Sequence, residues 1–190
     1  MTRARMSHPL ILLVCLASVG AIAAAARPEL AAARTSAIVA GPPWISIEYP
    51  VNPFDRTTRG AHLLVHAYHH GTPVGHPVSG TAEGLINGER RTITLRFEAT
   101  SRTGVYALRK QWPSEGAWTL VISVTQGEAS EGGVAQAVVE LAPTGAVAAV
   151  QVPTRQYAEG AFPRRLTSNE VEAIVRANAQ RVAVASRVRG

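Results

Sequence analysis

Five of the chain's six histidines, His62, His66, His69, His70 and His76, fall within the stretch HLLVHAYHHGTPVGH of residues 62–76. Neutral imidazole is a competent ligand for copper, zinc or nickel, so the first chemistry to weigh is metal binding. Four residues along an extended strand span about 13 Å. That is too far for His62 with His66, or His66 with His70, to grip one ion at the ~2 Å ligand distance of zinc. A site therefore needs the chain to turn back, which brings His69 or His70 towards His76 across the Gly71–Gly75 loop, with a carboxylate such as Glu83 as an added ligand. Copper or zinc on His69, His70 and His76 is the metal expectation. Its competitor is a strand face and polar turn that happen to carry histidines.

No other residues form a recognisable reactive set. The serines lie in no G-x-S-x-G elbow, and the chain has no H-E-x-x-H, P-loop or dinucleotide fingerprint. Glu83 and Glu89 flank a turn and are expected in water as solubilising groups. Trp112, at a turn, is either an exposed interaction anchor or a cap on the end of the core. The expectation is a protein without a catalytic constellation.

The N-terminus speaks about location. Arg3 and Arg5 precede an uncharged apolar stretch from Pro9 to Ala26, which ends in the small residues Ala24, Ala25 and Ala26. This is the anatomy of an export signal, residues 1–26, with an uncleaved membrane anchor as the alternative because the stretch approaches the roughly 20 residues that span a bilayer. Cys15, the only cysteine, lies inside it and follows Val14, which disfavours a lipoprotein signal. Cleavage would leave a chain with no disulfide or thiolate chemistry. A periplasmic or secreted location is expected, or a membrane-anchored one if the segment is retained.

Charge is uneven. Residues 27–150 hold ten Arg or Lys and ten Asp or Glu, whereas residues 151–190 hold seven Arg against three Glu. The body is neutral and its aromatics are not interleaved with arginines, which argues against nucleic acid. The basic tail, through Arg164, Arg165, Arg176 and Arg181 among others, is expected to meet an acidic partner or an anionic membrane. Because the last strong strand ends near Leu141, the tail is also expected to be removable.

The elements that must position these residues are strands. Trp44–Tyr49 and residues 61–69 open the series, with residues 27–43 as a linker before it. Ile93, Leu95 and Phe97 alternate with Thr92, Thr94, Arg96 and Glu98, a period of two. Asn87-Gly88 before them is the strongest hairpin signal, because a type I′ turn needs positive φ at both positions. GVYALRKQ, AWTLVISVT and VAQAVVEL follow. About seven strands at roughly ten-residue spacing predict an all-β fold, an antiparallel Ig-like sandwich over residues 44–143. The 144–190 extension carries AVAAVQV, a further strand candidate, and one short helix at about 168–181. That helix opens with a Thr167/Glu170 capping box.

Gly71, Pro73 and Val74, then Gly104 and Tyr106, then Pro113, Gly116 and Trp118 form a pattern of turn and core residues. Over residues 44–141 it resembles the exported Ig-like modules grouped as YtkA-like or FixH-like domains, and more loosely the prealbumin-like domains found beside carboxypeptidases. The resemblance implies the fold rather than an activity; with the export segment and the basic tail, the expectation is a noncatalytic envelope module with a protein partner, associated with a membrane peripherally or through an anchor. It names no cofactor.

Overall fold

A computed structural model describes residues 41–127 and 133–188. The export segment and most of the linker lie outside them. The described residues form twelve strands and one helix: β1 (Trp44–Glu48), β2 (Leu63–His69), β3 (Thr72–Pro73), β4 (Val78–Ile86), β5 (Glu89–Thr94), β6 (Phe97–Ala99), β7 (Val105–Leu108), β8 (Ala117–Thr125), β9 (Val134–Leu141), β10 (Val147–Gln151), β11 (Thr154–Tyr157), β12 (Gly160–Pro163) and α1 (Ser168–Val188).

Two antiparallel sheets pack face to face. The first runs β1-β2-β7-β6, with β3 paired to β2, and the second runs β10-β9-β8-β4-β5. Ile45, Leu63, Val65 and Leu108 of the first sheet and Leu120, Ile122, Val124, Val139 and Leu141 of the second form one buried core. Inward alternation on both sheets is what the period of two dictates. The protein is an all-β antiparallel sandwich with one C-terminal helix.

Two turns share one conformation. Asn87 (φ 52°) and Gly88 (φ 84°) link β4 to β5, and His70 (φ 50°) and Gly71 (φ 78°) link β2 to β3. In each, the flanking residues pair directly, Ile86 with Glu89 and His69 with Thr72. Positive φ at both central positions marks the twist-matched two-residue hairpin. The first is legible as Asn-Gly. In the second, a histidine occupies the left-handed position.

The segment 92–98, expected as one strand, changes sheets. β5 pairs with β4 in the second sheet, while β6 pairs with β7 in the first. The corner between them is clamped by Gln111, whose Oε1 accepts from Arg96 N–H at 3.0 Å and whose Nε2 donates to Arg96 C=O at 2.8 Å. Leu95 is buried, and Ile93 and Phe97 pack against the same core. The alternation therefore survives although the hydrogen-bonding partner changes.

Each outer face of the sandwich is covered in part. On the first sheet, Val51 and Ala61 of the β1–β2 loop pack on Leu64, Val105 and Ala107, a second small core. On the second sheet, α1 lies against β8 and β4. It extends to Val188, seven residues beyond the expected end, because Val182 and Ala185 continue the half-buried face begun by Val171, Val175 and Asn178. That 4–3–4–3 spacing is one helical stripe. β10 likewise continues the second sheet beyond residue 143. The extension expected to be separable is built into the sandwich.

Candidate functional site

The histidines converge less than their sequence spacing suggests. His66 points outward, stacks on Tyr68 at a centroid distance of 6.2 Å, and its Nε2 lies 2.9 Å from Glu48 Oε2. His62 turns inward, where its ring meets Trp112 edge-on at 5.1 Å. The predicted metal residues do gather at the β2–β3 hairpin tip: His69 lies 4.2 Å from His70 and 6.2 Å from His76, ring centroid to centroid. His69 Nε2 is 3.2 Å from the Gly41 carbonyl oxygen, a hydrogen bond if it carries the proton. His76 Nε2 is buried without a hydrogen-bond partner among the described residues. Desolvation, then the neighbouring His69, lowers the His76 pKa. Among the described residues, no group of three or more His, Cys, Asp or Glu side chains is arranged to hold a metal ion.

Glu83 does not join the histidines. It sits on the outer face of the second sheet, where its carboxylate accepts from Thr81 Oγ1 at 2.5 Å and Thr92 Oγ1 at 2.7 Å and pairs with Arg90 at 3.0 Å. It is buried beside α1, so the expectation of a solvated charge next to a hairpin is overturned. A covering helix, rather than water, meets that face.

Trp112 is only 4% exposed and belongs to the central core, so it cannot serve as a surface anchor. It caps the end of the sandwich. Trp118, in the next strand, directs its indole N–H to the Glu115 carbonyl at 2.7 Å, and Tyr106 directs its hydroxyl to the His76 carbonyl at 2.7 Å. Both tie a turn to the core, as buried aromatic residues with polar ends commonly do.

Three arginines of the basic tail are paired within the fold. Arg164 makes a two-pronged pair with Glu170, at 3.0 and 2.5 Å, Arg176 pairs with Glu172 at 2.6 Å, and Arg181 pairs with the buried Glu140. Glu170 also accepts from Thr167 N–H at 2.8 Å and Thr167 Oγ1 at 2.9 Å, the capping box at the start of α1. Arg164 first, then Thr167, hold the Glu170 carboxyl at about 2. These pairs remove Arg164, Arg176 and Arg181 from the set of free cations expected of the tail. Arg165 forms no ion pair among the described residues.

Arg165 stands instead at a groove. About 610 Å³ of space is lined by Pro42 and Val134, by Tyr157 and Phe162 of the β11–β12 hairpin, and by Pro163, with Glu159, Arg164 and Arg165 also at its walls. Tyr157 and Phe162 meet edge-on at 5.7 Å, so two aromatic side chains form one surface. From its sequence this segment is expected to be extended, and the hairpin is a finding of the structure. TRQYAEGAFP offers Gly160 as a turn signal, but its flanking segments are too short and mixed to show a period. Mostly apolar walls with a few polar groups are the composition of a binding groove.

No helix among the described residues is long and apolar enough to cross a membrane. Comparison with protein-family models, with curated proteins and with solved structures finds no match.

Proposed function

We propose that this protein is an exported, noncatalytic binding or accessory module of the bacterial cell envelope, acting through contacts with a protein partner, as a subunit of a membrane complex or alongside one. The observation that carries this reading is the groove at Tyr157 and Phe162. Its apolar walls suit an aliphatic or proline-bearing segment of the partner. Arg165 suits a carboxylate next to that segment, because guanidinium pairs with carboxylate in a planar, two-pronged geometry. The N-terminal apolar segment and the likeness of residues 44–141 to YtkA-like and FixH-like modules support an envelope location.

The test is replacement of Tyr157 and Phe162 by Ser. Both belong to a hairpin outside the two main sheets. The doubly substituted protein should keep its melting temperature and lose a stoichiometric partner that the unmodified protein retains through purification from the envelope.

A second reading, copper or zinc binding at the β2–β3 tip, is favoured by one observation, the buried His76 Nε2 beside His69, unpartnered among the described residues. Ligation by His69 Nε2 as well would require it to leave the Gly41 carbonyl. Titration of the protein and of His76→Gln with each metal decides it: stoichiometric binding lost in the variant supports the reading.

A further inference from the structure

The β1–β2 loop presents an aromatic side chain for which the fold has no use. Phe54 is 89% exposed, the most exposed large hydrophobic side chain described. The loop is anchored without it, by Val51 and Ala61 on the second core and by the buried Thr58. The tip around Phe54 is held by its own hydrogen bonds. Phe54 N–H donates to Asn52 Oδ1 at 3.0 Å, Thr57 N–H and Oγ1 donate to Asp55 Oδ1 at 2.9 and 2.6 Å, and Ala61 N–H donates to Thr58 C=O at 3.0 Å.

Cations lie on and beside this loop. Arg56 and Arg59 are exposed on the same loop. Arg102 reaches Asp55 at 3.9 Å, and Arg109 donates to the Arg59 carbonyl at 3.1 Å while pairing with Glu98 at 3.2 Å. Four guanidinium groups thus face two carboxylates, Asp55 and Glu98. A single ring on a narrow loop tip offers little of the roughly 800 Å² that each partner contributes to a stable protein interface. A fluid headgroup layer conforms to a convex tip, takes an aromatic side chain at its acyl boundary, and supplies phosphates to arginine.

We propose that this loop docks on an anionic phospholipid surface, with Phe54 entering the interface and Arg56 and Arg59, which form no ion pair among the described residues, meeting lipid phosphates. The surface is separate from the groove and does not depend on the function proposed for it.

The experiment uses the full chain in vesicles of phosphatidylcholine alone or mixed with phosphatidylglycerol. An apolar fluorophore is attached at Phe54→Cys or, as a control on α1, at Ser186→Cys, each with Cys15→Ser. Headgroup-labelled nitroxide lipid is the quencher. The expected result is strong quenching at position 54 and little at 186 in phosphatidylglycerol vesicles. Quenching at 54 should fall to the level of position 186 when Arg56→Gln and Arg59→Gln are added, or at about 0.5 M salt, where the Debye length shrinks to about 4 Å. Both arginine side chains are exposed, so an unchanged melting temperature checks that the variant is folded. Equal quenching at the two positions, or quenching indifferent to phosphatidylglycerol, would overturn the proposal. So would an unquenched position 54 combined with a protein partner that is lost from Phe54→Ser.

Discussion

Asn178, buried in the middle of α1, donates from Nδ2 to the Trp118 carbonyl of β8 at 2.9 Å, with Thr119 Oγ1 at 3.3 Å and the Leu141 carbonyl at 3.4 Å. One amide therefore pins the C-terminal helix to two strands of the second sheet. Leaving buried acceptors unpartnered costs about 1–3 kcal/mol. Asn178→Leu should lower stability by that amount in urea unfolding, whereas a helix lying free would give no change.

Deletion of residues 151–190 follows the same logic on a larger scale. It would strip α1 from β8 and β4, and would leave Glu140 and Gln136 without Arg181 and the Leu166 N–H. The expected product is an aggregating or unfolded chain, detected by loss of a cooperative thermal transition. A truncated protein that melts as sharply as the full chain would show that the tail is an appendage.

Trp112→Ala should cost about 3–5 kcal/mol, the usual range for truncating a buried aromatic residue, because Trp112 fills the end of the core beside His62. An exposed anchor would tolerate the change, and chemical denaturation separates the two.

Gly84 on β4 lies under the Trp118 ring, where an added Cβ would come within 2.6 Å of the ring carbons. Ring and strand must then shift. Gly84→Ala should destabilise by about 1–3 kcal/mol through overpacking, and the near-ultraviolet circular dichroism of Trp118 should change with it.

Acid should weaken the fold through two imidazoles. His62 has a lowered pKa, chiefly from desolvation and then from Lys110, and His76 is lowered by desolvation and then by His69. A histidine whose folded pKa lies below its unfolded value of about 6.5 binds protons more readily in the unfolded chain. Stability is therefore full above about pH 6.5 and falls as pH drops towards the folded values. His62→Phe, which keeps the contact with Trp112, should flatten part of that fall in melting temperature. Parallel profiles for the two proteins would assign the dependence elsewhere.

What could be read from the sequence follows the physics of each signal. Asn87-Gly88 announces its turn because few other pairs accept two positive φ angles, and Thr167 with Glu170 announces the helix start because the capping box is local. The sheet change at Leu95–Arg96 is silent, because Ile93, Leu95 and Phe97 keep their inward alternation while the strand changes partner. The outer face of β8 and β9 misleads. Thr119, Ser123, Gln136 and Glu140 look like residues meant for water, yet they meet Asn178, Arg181 and each other beneath α1. Polar alternation alone does not distinguish a wet face from one satisfied by a helix. At the candidate site, three histidines were expected near one turn and do lie there, but the groove depends on a late hairpin packed near Pro42, a long-range placement without a local pattern.

The central claim is that the groove at Tyr157 and Phe162 holds a partner, and site-specific photo-crosslinking in intact cells tests it most directly. A photoreactive residue replacing Tyr157 should capture one defined envelope protein. The same residue at Val184, exposed on α1 and absent from the groove lining, should not. The adduct should disappear when Phe162→Ser and Arg165→Gln are added. Capture of the same protein from both positions, or from neither, would contradict the account.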